Sequence, residues 1–78
     1  MTTGRIPDAE QAISYVERAD GRHLEFAYHR HAARESLGIR AYDAEGKPEG
    51  AGVRVLLTEL PALIFAANAV ERLSELAR

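Results

Sequence analysis

The sequence predicts an α+β fold, an antiparallel sheet followed by one long C-terminal helix. Three observations carry this. Residues 22–31 and 36–42 alternate apolar and polar side chains with period two. Residues 51–57 repeat the alternation after a segment dense in Gly, Pro and acids. From Leu60 to Val70 no residue is charged, and the run that follows is amphipathic at helical spacing.

Taken in order, residues 1–8 read as a flexible tail. Residues 9–20 support two readings. Ala9, Ala12, Ile13, Val16 and Ala19 fit a helical stripe that Asp8 would cap. Ile13-Ser14-Tyr15-Val16 also has strand character, and Asp20-Gly21 is a strong hairpin signal between strands. In 22–31, Leu24, Phe26 and Tyr28 share one face; His23, Glu25, Ala27, His29 and His31 share the other. In 36–42, Leu37, Ile39 and Ala41 point inward, and Gly38, Arg40 and Tyr42 outward. Residues 43–50 form a loop. In 51–57, Val53, Val55 and Leu57 point in; Gly52, Arg54 and Leu56 point out.

The helix is expected over 58–77. Thr58 is a suitable N-cap, Glu59 suits the positive end of the helix dipole, and Pro61 is tolerated in a first turn. Its first half is apolar nearly all round, so it should be buried on more than one side. Leu63, Ile64, Ala67 and Val70 are expected to cover the inner sheet face. Phe65, Ala66, Ala69, Leu73 and Leu76 would remain as an apolar strip, which a second copy of the chain is expected to cover in a homodimer. Asn68, the one polar residue in the apolar half, either faces solvent or bonds across the dimer axis.

Length and composition narrow the class. Seventy-eight residues make a single domain, 1–78, and without cysteine there is no disulfide framework or thiolate metal site. A domain this small is marginal alone, which favours dimerisation. The apolar run is short of the roughly 20 residues a bilayer span needs, and the N-terminus lacks a signal-peptide core, so a cytoplasmic protein is expected. The net charge of -2 exerts no general pull on nucleic acid. The outer sheet face, with His23, Glu25, His29, His31, Arg40, Tyr42 and Arg54, is expected to be polar and locally basic. Arg18, Arg22, Arg30 and Arg34 add a basic cluster around the first hairpins, read first as solubilising.

Chemical motifs are sparse. Ser14, Ser36 and Ser74 have no base at a recognisable spacing, and Glu45 and Glu49 have no partner acid. Gly50-Ala51-Gly52 runs into a strand and opens no helix, unlike a phosphate loop. The expectation is no enzyme, no catalytic residues and no cofactor. His29-x-His31 puts two imidazoles on one strand face, but with Glu25 the only nearby carboxylate of that parity on the strand, no metal site is expected.

Ile39-Arg40-Ala41-Tyr42, then Asp43 to Pro48, then Gly50-Ala51-Gly52-Val53 and the long helix resemble the transcriptional positive cofactor 4 family over about half the chain. Its members carry an Ile-Arg-Glu-Tyr-like strand, a turn with Gly and Lys-Pro, a Lys-Gly-Ile strand and one helix. The resemblance implies four antiparallel strands followed by the helix (ββββα), with 12–19 as the first strand. It implies a helix-mediated dimer that binds single-stranded DNA on its sheets. Arg40 and Tyr42 match the strand motif and Lys47 the turn lysine. Ala41 replaces the motif's acid, Ala51 replaces a basic residue, and the aromatic near the helix start is absent.

Backbone tracking by Arg40, Arg54 and Lys47, base stacking on Tyr42 and hydrogen bonding by His29 and His31 are the roles this implies. Single-stranded DNA or RNA is then the expected ligand. Ile39 to Leu57 also resembles, more distantly, small actinobacterial partners of helix-turn-helix regulators, although their Trp-Arg-Lys-Ser-Ser signature is absent. That implies the alternative: a protein-interaction module partnering a DNA-binding transcription regulator, without nucleic-acid binding of its own.

Overall fold

The structure is a computed structural model and describes residues 7–78. It has four strands and one helix: β1 (Ala9–Glu17), β2 (His23–His31), β3 (Arg34–Tyr42), β4 (Pro48–Leu56) and α1 (Leu60–Leu76). The strands form one antiparallel sheet in the order β1-β2-β3-β4. The ββββα fold class is therefore as expected, and residues 9–17 are strand. Of the expected tail, residues 1–6 lie outside the described residues. Pro7 and Asp8 are tied to the β2–β3 hairpin: the Pro7 carbonyl accepts from Arg30 Nε at 2.8 Å, and Asp8 Oδ1 accepts the Ala32 N–H at 3.0 Å.

The expected faces of β2 and β3 hold. Phe26 opposes Ile39, Leu24 opposes Ala41 and Tyr28 opposes Leu37, while Glu25 opposes Arg40 and His23 opposes Tyr42. Val53 and Val55 join the inner face opposite Ile39 and Leu37. In β1 the register slips between Ala12 and Ser14, leaving Ile13 as a bulge residue. Beyond the bulge, Ser14 and Val16 oppose Phe26 and Leu24. A second slip, between Ile39 and Ala41, sits opposite Gly50-Ala51-Gly52. Both glycines have positive φ, and a Cβ on Gly52 would lie 2.9 Å from the Ile39 carbonyl oxygen, so this bulge requires glycine there.

The helix departs from expectation at both ends of its argument. Leu57–Glu59 forms a 3-10 turn, and α1 starts at Leu60, not at Thr58. Glu59 Oε1 accepts the Leu56 N–H at 2.8 Å and so closes the 3-10 turn, while α1 itself starts without a side-chain cap from Thr58 or Glu59. More important, α1 does not lie across the inner sheet face. Its principal neighbour is the 3-10 turn that leads into it. Leu60 closes a small apolar pocket with Ile13, Tyr28, Leu37 and Leu57, and beyond it every residue of the helix except the half-buried Leu63 and Ala69 is exposed. Ile64 and Val70, expected to cover the sheet, are 59% and 66% exposed.

The dimensions say the same. The radius of gyration is 15.9 Å, against about 11.5 Å for a compact chain of this length. The accessible surface is 6575 Å², against about 4,700 Å² for a compact monomer of this mass. No helix among the described residues is long and apolar enough to cross a membrane.

Candidate nucleic-acid interface

The outer sheet face carries a groove whose floor is Ala27 and Gly38, the buried residues among those described. Their placement follows from register: Ala27 opposes Gly38 at the centre of the sheet. Without a side chain on Gly38, the His29 ring can settle over it; a Cβ there would meet His29 Nε2 at 2.5 Å. His29 is accordingly only 15% exposed, with Glu10 Oε1 3.5 Å from its Nδ1. Arg40, Tyr42 and Arg54 line the same groove, together with Glu10 and Glu25. Arg40 lies beside the glycine bulge, its Nη2 3.5 Å from the Ala51 carbonyl oxygen.

A second, more open depression adjoins the first. Glu10, His29 and Arg54 belong to both, and Asp8, Ala9, Arg30 and His31 complete it. Five of the six expected binding residues thus fall on one continuous furrow: Tyr42, Arg40, Arg54, His29 and His31. Lys47 does not line it. It sits in the β3–β4 turn, which Asp43 organises by accepting the Glu45 and Lys47 N–H groups, each at 2.9 Å.

Two features of the furrow correct the expected picture. Tyr42 is half-buried, not freely exposed: its ring stacks on His23 at 4.7 Å, 10° from parallel, and its hydroxyl donates to Glu25 Oε1 at 3.3 Å. Tyr15 meets His23 edge-on at 5.6 Å, so an aromatic row runs across β1, β2 and β3. The groove is also not basic. Arg40 and Arg54 are matched in formal charge by Glu10 and Glu25. Glu10, Tyr15, His23 and Glu25 are the residues that sequence reasoning left out of the site. The parity of β2 already placed His23 and Glu25 on this face. Glu10 and Tyr15 became assignable only with the register of β1.

At the far end of the furrow Asp8 holds the β2–β3 turn. Its Oδ2 lies 3.0 Å from His31 Nδ1. The hydrogen bond from the Ala32 N–H is the largest influence and, with the contributions of His31 and Arg30, outweighs desolvation and holds the Asp8 carboxyl below its usual range. Among the described residues no three His, Asp or Glu side chains are grouped to hold a metal ion. Compared with known proteins, the chain matches no family model, no curated protein and no solved structure.

The strip assigned to a second copy lies on the free part of α1. Phe65, Leu73 and Leu76 are 75%, 65% and 78% exposed, Ala66 is exposed and Ala69 half-buried.

Proposed function

We propose that the protein is a dimeric single-stranded nucleic-acid-binding module of the transcription-cofactor kind, acting by binding and not by catalysis. The observation that carries this is the outer groove. Arg40 and Arg54 stand on it without a carboxylate within ion-pairing distance among the described residues. Two unpaired guanidinium groups beside an aromatic wall suit a chain that alternates phosphates and flat bases. The resemblance at Arg40 and Tyr42 supports the same reading.

Dimerisation rests on surface area. The chain exposes roughly 1,900 Å² more than a compact monomer of its mass. Two copies hiding that much each would bury on the order of 3,800 Å² in total, the size of a permanent dimer interface. The strip Phe65, Ala66, Ala69, Leu73 and Leu76 and the bare inner sheet face are the surfaces available for it.

Titration of a labelled single-stranded oligonucleotide at several salt concentrations tests the reading. Binding should weaken steeply with salt, because phosphate contacts release counterions. Replacing Arg40 and Arg54 with Ala should lower the slope of log affinity on log salt by about 1.4, two contacts at roughly 0.7 each. An unchanged slope removes these residues from the interface. A dimer that binds no oligonucleotide would favour the second reading, a protein-interaction module partnering a DNA-binding regulator, which the cancelled charge of the groove also suits.

A further inference from the structure

Glu25 is out of place on a surface that binds a polyanion. It is half-buried on β2, with Tyr15 opposite on β1 and Arg40 opposite on β3. Cross-strand opposition would normally pair Glu25 with Arg40. The pair does not form: among the described residues no cation lies within 4.0 Å of the Glu25 carboxylate, and Arg40 turns toward the Ala51 carbonyl. The carboxylate's one described hydrogen bond is from the Tyr42 hydroxyl, long at 3.3 Å, to Oε1. Oε2 is left to whatever enters the groove.

A half-buried acceptor pair asks for donors, and leaving it unmatched in a complex is costly. Phosphate and sugar ring oxygens offer none, and a ribose 2′-hydroxyl offers a single donor and not an adjacent pair. Base edges do, and in a single strand the Watson–Crick edge is accessible. Guanine alone presents two adjacent donors there, N1–H and one N2–H, spaced for the two oxygens of a carboxylate. Cytosine and adenine present an amino donor beside a ring-nitrogen acceptor, and thymine one N–H between two carbonyls. Each of those sets a lone pair against the carboxylate.

We infer that Glu25 gives the outer groove a preference for guanine in single-stranded nucleic acid, its carboxylate accepting from N1–H and N2–H of a base lying against Tyr42. The inference rests on the proposed nucleic-acid-binding function. The Tyr42 hydroxyl already donates to the Glu25 carboxylate, so a base on the ring face that His23 does not occupy would lie beside both. The flank beside Arg40 is formed by Ala51 and Gly52, which place little bulk in the way.

The test is competition among 12-residue single strands in lithium buffer, which disfavours guanine quadruplexes, read by fluorescence anisotropy. The strands are all-thymidine, alternating thymidine–guanosine, and alternating thymidine–inosine; inosine lacks the 2-amino group. The guanosine strand should bind about tenfold more tightly than the thymidine strand, in the range a bidentate base contact provides. Inosine should fall between them. Glu25→Gln keeps the shape of the side chain and should erase most of the preference, so that the guanosine, inosine and thymidine strands bind the variant with similar affinity. Binding with no guanine preference in the parent, or a preference that survives Glu25→Gln in a variant with parental circular dichroism, overturns the role of Glu25 alone. Failure of every strand to bind overturns it together with the function on which it rests.

Discussion

On the outer face of the sheet, Ala27 and Gly38 are buried beneath polar side chains, and His29 is nearly so. On the inner face, the apolar set of Leu24, Phe26, Leu37 and Ile39 is only half-buried, and Val53 is 61% exposed. Usually the apolar face is the covered one. The difference shows where each face finds its partners. The outer face is closed by its own long side chains over two small residues. Among the described residues the inner face is covered only at its Tyr28–Leu37 end, by Leu57 and Leu60, because α1 leaves the sheet after Leu60. A single copy therefore has a finished polar face and an unfinished core.

The sharpest way to break this comparison is to remove an aromatic from each face. If a second copy covers the inner face, Phe26→Ala should cost about 3–5 kcal/mol, the usual loss for a core Phe. In a lone chain with Phe26 half-exposed the loss would be nearer 1–2 kcal/mol. Urea unfolding at two protein concentrations separates the cases, since only dimer stability depends on concentration. Placing like charges on the helix strip, Ala66→Glu with Ala69→Glu, should reduce a parental dimer to monomer or unfolded chain by sedimentation. A folded, monomeric parent would remove the second copy from the argument.

A smaller effect is expected at the β2–β3 turn. Ala32 and Ala33 have φ of 52° and 64°, and His31 pairs with Arg34, so this is a two-residue hairpin with both central residues left-handed. Such turns favour Asn-Gly, and each alanine there carries roughly 1–2 kcal/mol of strain. The double change Ala32→Asn, Ala33→Gly should stabilise the protein by about 1 kcal/mol after the added flexibility of the unfolded chain is deducted. No rise in melting temperature would mean the turn is less strained than its dihedrals indicate.

Tyr42→Ala should cost still less, under about 1 kcal/mol, because its contacts are with His23 and Glu25 at a solvent-facing groove. A loss as large as that of Phe26→Ala would make the outer face the true core and invert the comparison.

These contrasts bear on what the sequence could disclose. β2 and β3 were legible because Leu24, Phe26 and Tyr28, and then Leu37, Ile39 and Ala41, recur at every second position. β1 was not, and the bulge explains why. One extra residue at Ile13 shifts the pattern, so that Ala9, Ala12, Ile13 and Val16 fall at helical spacing although the backbone is extended. The outer position of Arg40, Tyr42 and Arg54 followed from parity alone. The neutral balance of the groove did not, since Glu10 reaches it only through the pairing of β1 with β2. The length of the helix was close to legible. Its departure from the sheet was not, because a stripe of apolar residues specifies that a face is covered but not by which chain.

The smallest expected effect tests whether polar contacts help hold the outer side of the sheet. Asp8 receives the Ala32 N–H and sits against His31, and the Ala32 hydrogen bond is the main cause of its lowered carboxyl pKa. A carboxyl whose pKa is lower folded than unfolded stabilises the fold above its unfolded value. That contribution is lost as pH falls through the folded value. The window therefore opens near the ordinary value of 3.8 and extends below it. Asp8→Asn keeps an oxygen that accepts the Ala32 N–H but cannot titrate. Melting temperatures of the two proteins should run parallel from neutral pH down to the ordinary carboxyl range, and the parent should then fall more steeply. Because Asp8 and His31 are both exposed, the divergence should be small and should shrink with salt. Parallel profiles through the whole acid range would show that Asp8 does not hold the turn, and would leave the strained Ala32–Ala33 pair without its main local support.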